Sequence, residues 1–356
     1  MLGKIYKFSV PFFDSYLFFP NSKKFLKDSN EMHKFTMYFS SSLYILAFII
    51  IMGQYDIIVL FFMLLGLKFY LDDNDLMFVL LFGLACSIKL FALFTFFMML
   101  IYKEKNILKV IGKFFACLFP LLMFRMLIPI YGEDNVGSFF NRIFFTNVFN
   151  INISYVSIFI LVYLILCIYI FFFKLYNKDI KELLYYIFLV NVLLTVFGNI
   201  FSYWMIYFVP FMYLLFAVNN DMLELNMTMD TIGVFFALIA HFYDEFWTYS
   251  SGLSFNMGIA QLVKKQSARL YTMHDLLLDI LGETTATKIQ SFFVPLCMTV
   301  FITCLLMIVV CNQPNKVNKA YLSELNMKQL YGATVFLRLL FSMVILIMPM
   351  VFYLRA

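Results

Sequence analysis

Residues 291–311 run for twenty-one positions without one Asp, Glu, Lys or Arg, and residues 154–173 do the same for twenty. About 20 mostly apolar residues suffice for a helix to cross a bilayer. A chain that repeats such windows has too little polar surface to cover a folded body in water. Lipid removes that problem, because it solvates the apolar side chains while helices satisfy their own backbone groups. Further apolar windows fall near 8–22, 36–53, 57–71, 76–102, 110–130, 183–198, 200–218, 232–247 and 332–353, giving about ten to twelve hydrophobic segments in all. Of the 356 residues, 63% are hydrophobic and 13% charged, about half the charge of an ordinary soluble domain. Glycine and proline are scarce and strand-like alternation is absent, so the expected fold is an all-α polytopic transmembrane bundle rather than a barrel.

The net charge of +5 is dispersed over short loops, which reads as topology rather than nucleic-acid binding. Lys23, Lys24, Lys27 and Lys34 place the first strongly charged loop in the cytoplasm. Segment 36–53 then leads outward to Gly53-Gln54-Tyr55-Asp56, and 57–71 returns. Segment 76–102 is interrupted by Ser87 and Lys89, and reads as one long helix or as two short ones meeting at Lys89. In the two-helix case Lys89 points outward and Lys103, Glu104 and Lys105 end inside. Segment 110–130 delivers Glu133 and Asp134 outside, and 154–173 comes back to Lys174, Lys178 and Lys181. Segment 232–247, with His241, Asp244, Glu245 and Trp247, reads as interfacial or as a span. Lys316 and Lys319 favour a cytoplasmic 312–331 loop, which makes 232–247 a span and puts the more polar 248–290 stretch outside. No internal repeat or separate N-terminal signal peptide is visible.

Ionisable side chains in or beside spans are functional candidates by default, because each needs a partner or water. Asp14, Gln54, Asp56, Lys89 and Arg125 stand out. Gly53 and Asp56 have a blander reading as C-cap of one helix and N-cap of the next. Lys89 lies too far from either end of 76–102 to snorkel, so it needs a carboxylate or an anionic ligand. Lys and Asp at one outer depth suit a lipid phosphate with a hydroxyl-rich head group. His241, Asp244 and Glu245 are spaced on one helix turn in a way that could bind a divalent cation, but a polar interfacial patch is the better account of them. No resident cofactor is otherwise implied. Cys297, Cys304 and Cys311 recur every seven residues and read, with Cys86, Cys117 and Cys167, as small buried side chains. His274-Asp275 reads as a surface pair, and the sequons at Asn152 and Asn226 carry no weight.

Met52-Gly53-Gln54-Tyr55-Asp56-Ile57-Ile58, followed by an apolar helix and Phe82-Gly83-Leu84-Ala85-Cys86-Ser87-Ile88-Lys89, resembles the GT-C membrane glycosyltransferases. The resemblance is to the mannosyltransferase-like branch that uses polyprenyl-phosphate sugars. Upstream, Lys7-Phe8-Ser9-Val10-Pro11-Phe12-Phe13-Asp14 is similar to the helix preceding the Gln-Asp motif. Downstream, Phe201-Ser202-Tyr203-Trp204-Met205-Ile206-Tyr207-Phe208-Val209-Pro210-Phe211 resembles a late helix with an aromatic pair and a proline. The proline that often follows the family lysine is absent here. These stretches imply a GT-C-like core over 1–220 and a C-terminal membrane region over 221–356.

The resemblance implies sugar transfer from a polyprenyl-phosphate donor to a lipid-linked glycan or related acceptor, in a bacterial cytoplasmic membrane. Lys89 would bind donor phosphate, Gln54 and Asp56 would shape the sugar site, and Asp14, Tyr203 and Trp204 would support it. The family's first helix and its acidic outer loop have no counterpart before Phe8. The expected sources of the missing base are a longer chain, a second membrane chain, or Glu133 and Asp134. Asp244 and Glu245 would serve only if 232–247 faced the cavity. Two other classes stand beside the enzyme: a non-catalytic subunit or lipid-glycan-binding relic, and a polysaccharide transporter or polymerase using Lys68, Lys89, Arg125 and Arg338.

Overall fold

The computed structural model describes residues 37–39, 41–47, 56–127, 148–151, 154–176, 179–198, 206–219, 222–244, 273–314 and 327–355. Within them the chain is an all-α membrane-type bundle. Four helices are long and apolar enough to cross a membrane, and further apolar helices are shorter. The chain divides into two compact units.

The first unit opens with α1 (Ile57–Leu71), α2 (Asp75–Ile88), α3 (Ala92–Lys103) and α4 (Ile107–Leu127). Segment 76–102 is therefore a helical hairpin, and its two ends meet: Lys103 Nζ lies 3.0 Å from Asp75 Oδ1. The turn from α1 to α2 passes through Asp73 in the left-handed region (φ 57°), one that a short polar side chain tolerates. Asn74 then caps α2 by accepting from Met77 N at 3.2 Å. Tyr70, Phe78, Phe82 and Phe96 form an aromatic core between α1, α2 and α3. Gly83 brings α2 against α4 so closely that an added Cβ would lie 2.7 Å from Cys117 O and 2.9 Å from Pro120 Cγ. Pro120, inside α4, cannot donate to the helix ladder.

A short antiparallel hairpin, β1 (Val148–Ile151) and β2 (Ser154–Ser157), leads into α5 (Ile158–Phe173). The window 154–173 is thus shorter as a helix than expected, because its first four residues pair as a strand. α6 (Ile180–Phe197) and α7 (Val209–Val218) complete the unit. Contacts fix the direction of each helix. Tyr163 donates to Phe94 O at 3.0 Å, Asn191 to Thr95 Oγ1 at 3.3 Å, and Tyr102 to Glu182 Oε2 at 3.1 Å. Lys181 Nζ reaches Asn219 Oδ1 at 2.9 Å.

These pairings define two poles of the unit. One gathers Asp73, Asp75, Lys103, Glu104, Lys105, Lys113, Lys174, Lys181 and Glu182; the other holds Asp56 and Lys89. At the lysine pole, Lys103 bridges Asp73 and Asp75, and Lys113 bridges Asp75 and Glu104. Burial works to raise the Asp75 carboxyl, but hydrogen bonds from Lys113 and Lys103 outweigh it and hold it below the usual carboxylate range. Lys105, in the connection after α3, donates at 2.9 Å both to Ile101 O and to Ile170 O, closing the C-terminal ends of α3 and α5. α4 presents Phe115, Phe119, Leu122 and Met126 outward, a surface suited to lipid.

The second unit is built on α8 (Leu223–Asp244), α9 (Met273–Leu281), α10 (Glu283–Cys311) and α11 (Met327–Arg355). α8 begins nine residues before the expected 232–247 segment, and it is long and apolar enough to cross a membrane. The stretch 248–290, read as the most soluble-looking part, contains α9 and the start of α10. Gly282, at φ +78°, makes the turn between those two helices. Asn226 exchanges hydrogen bonds of 3.1 and 2.9 Å with Asn312, while Tyr243 donates to Ala286 O, so α8 and α10 are antiparallel. Thr228 meets Thr334, Thr231 meets Arg338 and Phe235 stacks on Phe341, a nearly constant offset that makes α8 and α11 parallel. Cys304 packs where a Cβ on Gly233 would come within 2.9 Å, in keeping with the cysteine stripe as small packing residues.

Candidate functional site

Two elements of the first unit bring their polar ends together at the pole away from the lysine cluster. Asp56 occupies the N-cap position of α1, and its carbonyl accepts the first helical bond from Leu60 N at 3.1 Å. Its side chain makes no capping hydrogen bond and its backbone is helical. A carboxylate serving only as a cap would instead take an extended backbone and accept from the second or third helical N–H. The Asp56 side chain is fully buried and lies 3.7 Å from Lys89 Nζ.

Lys89 owes its position to a break between helices that contains neither glycine nor proline. Ser87 Oγ donates to Leu84 O at 2.7 Å, turning back on its own helix. Lys89 N still bonds Ala85 O at 2.9 Å, but the residue itself is extended (φ −145°, ψ 120°). The chain re-enters α3 through tight turns, Leu93 N to Leu90 O at 3.0 Å and Phe94 N to Phe91 O at 3.1 Å. The break therefore forms without a proline. Lys89 thus sits at the C-terminal end of α2, where a cation is favoured, and Asp56 at the N-terminal end of α1, where an anion is. The Lys89 side chain keeps 18% of its surface exposed against none for Asp56.

Of the sequence-selected residues, Asp56 and Lys89 are brought together. Asp14, Gln54, Tyr203, Trp204, Glu133, Asp134 and Glu245 lie outside the described residues. Arg125 is half-buried in the last turn of α4, and Lys68 lies near the lysine pole beside the Phe69 ring. His241 is buried on α8, and among the described residues no three His, Cys, Asp or Glu side chains form a metal-sized group. His274 and Asp275 are both half-buried, and the His274 ring lies 5.9 Å from that of Tyr243. Asn226, in the second sequon, is buried with Asn312 and is no carbohydrate acceptor in this fold.

Arg338, named above for a transport path, is instead saturated inside the second unit. Its guanidinium donates to Asp230 Oδ2 at 2.7 Å, Thr231 Oγ1 at 2.8 Å, Tyr38 O at 2.9 Å and Ser41 Oγ at 3.1 Å. Both charged side chains are nearly fully buried. Sequence reasoning passed over Asp230, since one carboxylate does not end an apolar window; a lone Asp and a lone Arg in separate spans were the available signal. Glu182 was passed over too, and it gathers Lys174 at 2.8 Å with the hydroxyls of Tyr102 and Tyr186 at 3.1 Å.

Compared with known proteins, the chain matches no family model, no curated protein and no solved structure.

Proposed function

We propose that the chain belongs to a membrane glycosyltransferase of GT-C type, taking its sugar from a polyprenyl-phosphate donor and passing it to a lipid-linked acceptor. The single observation that carries this reading is the Asp56–Lys89 pair at a helix break. The Gly-Gln-Tyr-Asp and Gly-Leu-Ala…Lys runs resemble family motifs, and the fold brings the last residues of both to one point. A lysine there can balance the charge of a departing lipid phosphate, the step that most needs stabilisation when the glycosidic bond breaks. The opposite, lysine-rich pole faces the cytoplasm under the positive-inside rule, which puts Lys89 on the outer side. The acceptor hydroxyl must also lose a proton to a carboxylate base.

The test is transfer of radiolabelled sugar from polyprenyl-phosphate donors in membranes containing the intact chain and whatever copurifies with it. Lys89→Ala is expected to abolish transfer while leaving the protein in the membrane fraction. Unchanged transfer by that variant refutes the assignment.

A further inference from the structure

At the lysine pole most of the fixed cations are neutralised in place. Lys103 and Lys113 share Asp73, Asp75 and Glu104, and Lys174 pairs with Glu182. Lys105 is fixed but has no carboxylate. Its ammonium donates at 2.9 Å to Ile101 O and at 2.9 Å to Ile170 O, and it stands 5.6 Å from the centre of the Phe171 ring. Two carbonyls orient an ammonium without carrying net charge, and they use two of its three N–H donors. Burial pushes this ammonium below its usual range, whereas Lys103 is lifted by its hydrogen bonds to Asp73 and Asp75. A half-buried cation left in that state calls for an anion from outside the chain.

The surroundings say which anion fits. Lys105 stands where α3, α4 and α5 converge. α4 meets α3 through Phe114 on Phe97, and α5 meets it through Phe159 and Tyr163 on Phe94. Phe94 and Phe97, three residues apart, are neighbours on one side of α3. Among the described residues no hydrogen bond or ring contact joins α4 to α5. The two helices therefore lean on adjacent faces of α3 and leave an apolar furrow, floored by the half-buried Leu93, Phe94 and Phe97. The row Leu93, Phe97, Ile101 ends at the carbonyl that holds Lys105. Ile107 and Leu108 on one side and Phe172 and Phe173 on the other are exposed apolar side chains close to that point. A free phosphate gains nothing from such a setting. A phospholipid places its phosphate on the ammonium and its chains in the furrow. The positive-inside rule assigns this pole to the cytoplasmic leaflet, where anionic phospholipids concentrate.

We propose that the corner formed by α3, α4 and α5 seats one anionic diacyl phospholipid of the cytoplasmic leaflet, its phosphate on Lys105 and its acyl chains along the furrow. Lys109, exposed in the first turn of α4, adds positive charge to the same corner. The site lies at the pole away from Asp56 and Lys89 and does not depend on the sugar-transfer reading. It concerns binding alone, and no bond forms or breaks.

The intact chain, stripped of lipid in a neutral detergent, is titrated with dioleoyl phosphatidylglycerol and with dioleoyl phosphatidylcholine, and the first bound lipid is counted by native mass spectrometry. Wild type should bind phosphatidylglycerol about fivefold more tightly, the worth of one lysine against an anionic lipid. Lys105→Gln should lose most of that preference and Lys105→Arg should keep it. Lys68→Gln, which removes a half-buried lysine of the same pole from α1, should leave it unchanged. Lys105→Gln also unties α3 from α5, so the readout is the ratio of the two lipids, which general loosening does not shift toward either one. Equal affinity of wild type for both lipids overturns the proposal without any variant. An equal loss in Lys68→Gln and Lys105→Gln means diffuse attraction to a basic pole and overturns it as well. So does displacement of the lipid by its deacylated head group, glycerophosphoglycerol, at equal concentration, since the furrow would then contribute nothing.

Discussion

The Arg338–Asp230 pair gives the sharpest test of how the second unit is held. Replacing Arg338 by Met removes four hydrogen bonds of 2.7 to 3.1 Å and leaves Asp230 buried beside an apolar side chain. Stranding one member of a buried ion pair costs about 3–5 kcal/mol. Removing both, as in Asp230→Leu/Arg338→Met, strands no charge and should recover most of that loss. The unit carries its own reporters, since Cys297 and Cys304 are buried on α10 and become reactive only when it opens. A thiol-reactive fluorophore followed during heating in detergent reads that opening directly. At roughly 2–4 °C per kcal/mol, the single variant should melt about 10 °C below wild type. The double variant should lie within a few degrees of wild type, a coupling of about 2 kcal/mol or more in the cycle. Additive losses, with the double variant melting lowest, would refute the view that these two charges are balanced chiefly against each other.

Three further outcomes are expected. Gly83→Leu should separate α2 from α4, because even a Cβ would lie 2.7 Å from the Cys117 carbonyl, and should cost about 1–3 kcal/mol; Gly112→Ala, whose Cβ would meet nothing within 4 Å, should be neutral or gain up to about 1 kcal/mol in the same thermal assay. Asp75 and Lys103 set a pH window. The lowered Asp75 carboxyl contributes stability that is full above about pH 4 and lost as pH falls through its folded value. Burial works to lower Lys103, but the hydrogen bonds it donates to Asp73 and Asp75 raise it, so its contribution is full below about pH 10 and lost as pH rises through the folded value. Melting temperature against pH should therefore be flat between these limits, and Lys103→Met should remove the alkaline fall specifically. Finally, Asn226→Gln should leave electrophoretic mobility unchanged in a glycosylating host while lowering thermal stability, since the Asn226–Asn312 amide pair is interior.

Apolar windows made the helices legible because lipid demands them, and α1 lies where the sequence placed it, at Ile57–Leu71. The hairpin at Lys89 was half-legible: a charge in mid-segment signalled an interruption, but only the return of Lys103 to Asp75 distinguishes a fold-back from a long kinked helix. Asp56 was ambiguous for a local reason, since a cap and an ion-pair partner look alike in one dimension. The start of α8 was misplaced because Glu224 and Asp230 diluted the apolar signal, whereas packing satisfies both ends of that helix in three dimensions. The β1–β2 hairpin escaped notice because its four-residue strands are too short to show alternation beside a strongly apolar helix.

The distance along the chain between Asp230 and Arg338, 108 residues, sets a schedule as well as a contact. Ribosomes add about 5–20 residues per second. For roughly 5–20 seconds after α8 is made, the guanidinium that meets its carboxylate in the finished fold has not yet been synthesised. The second unit therefore cannot close its buried ion pair until the last helix of the chain has been made.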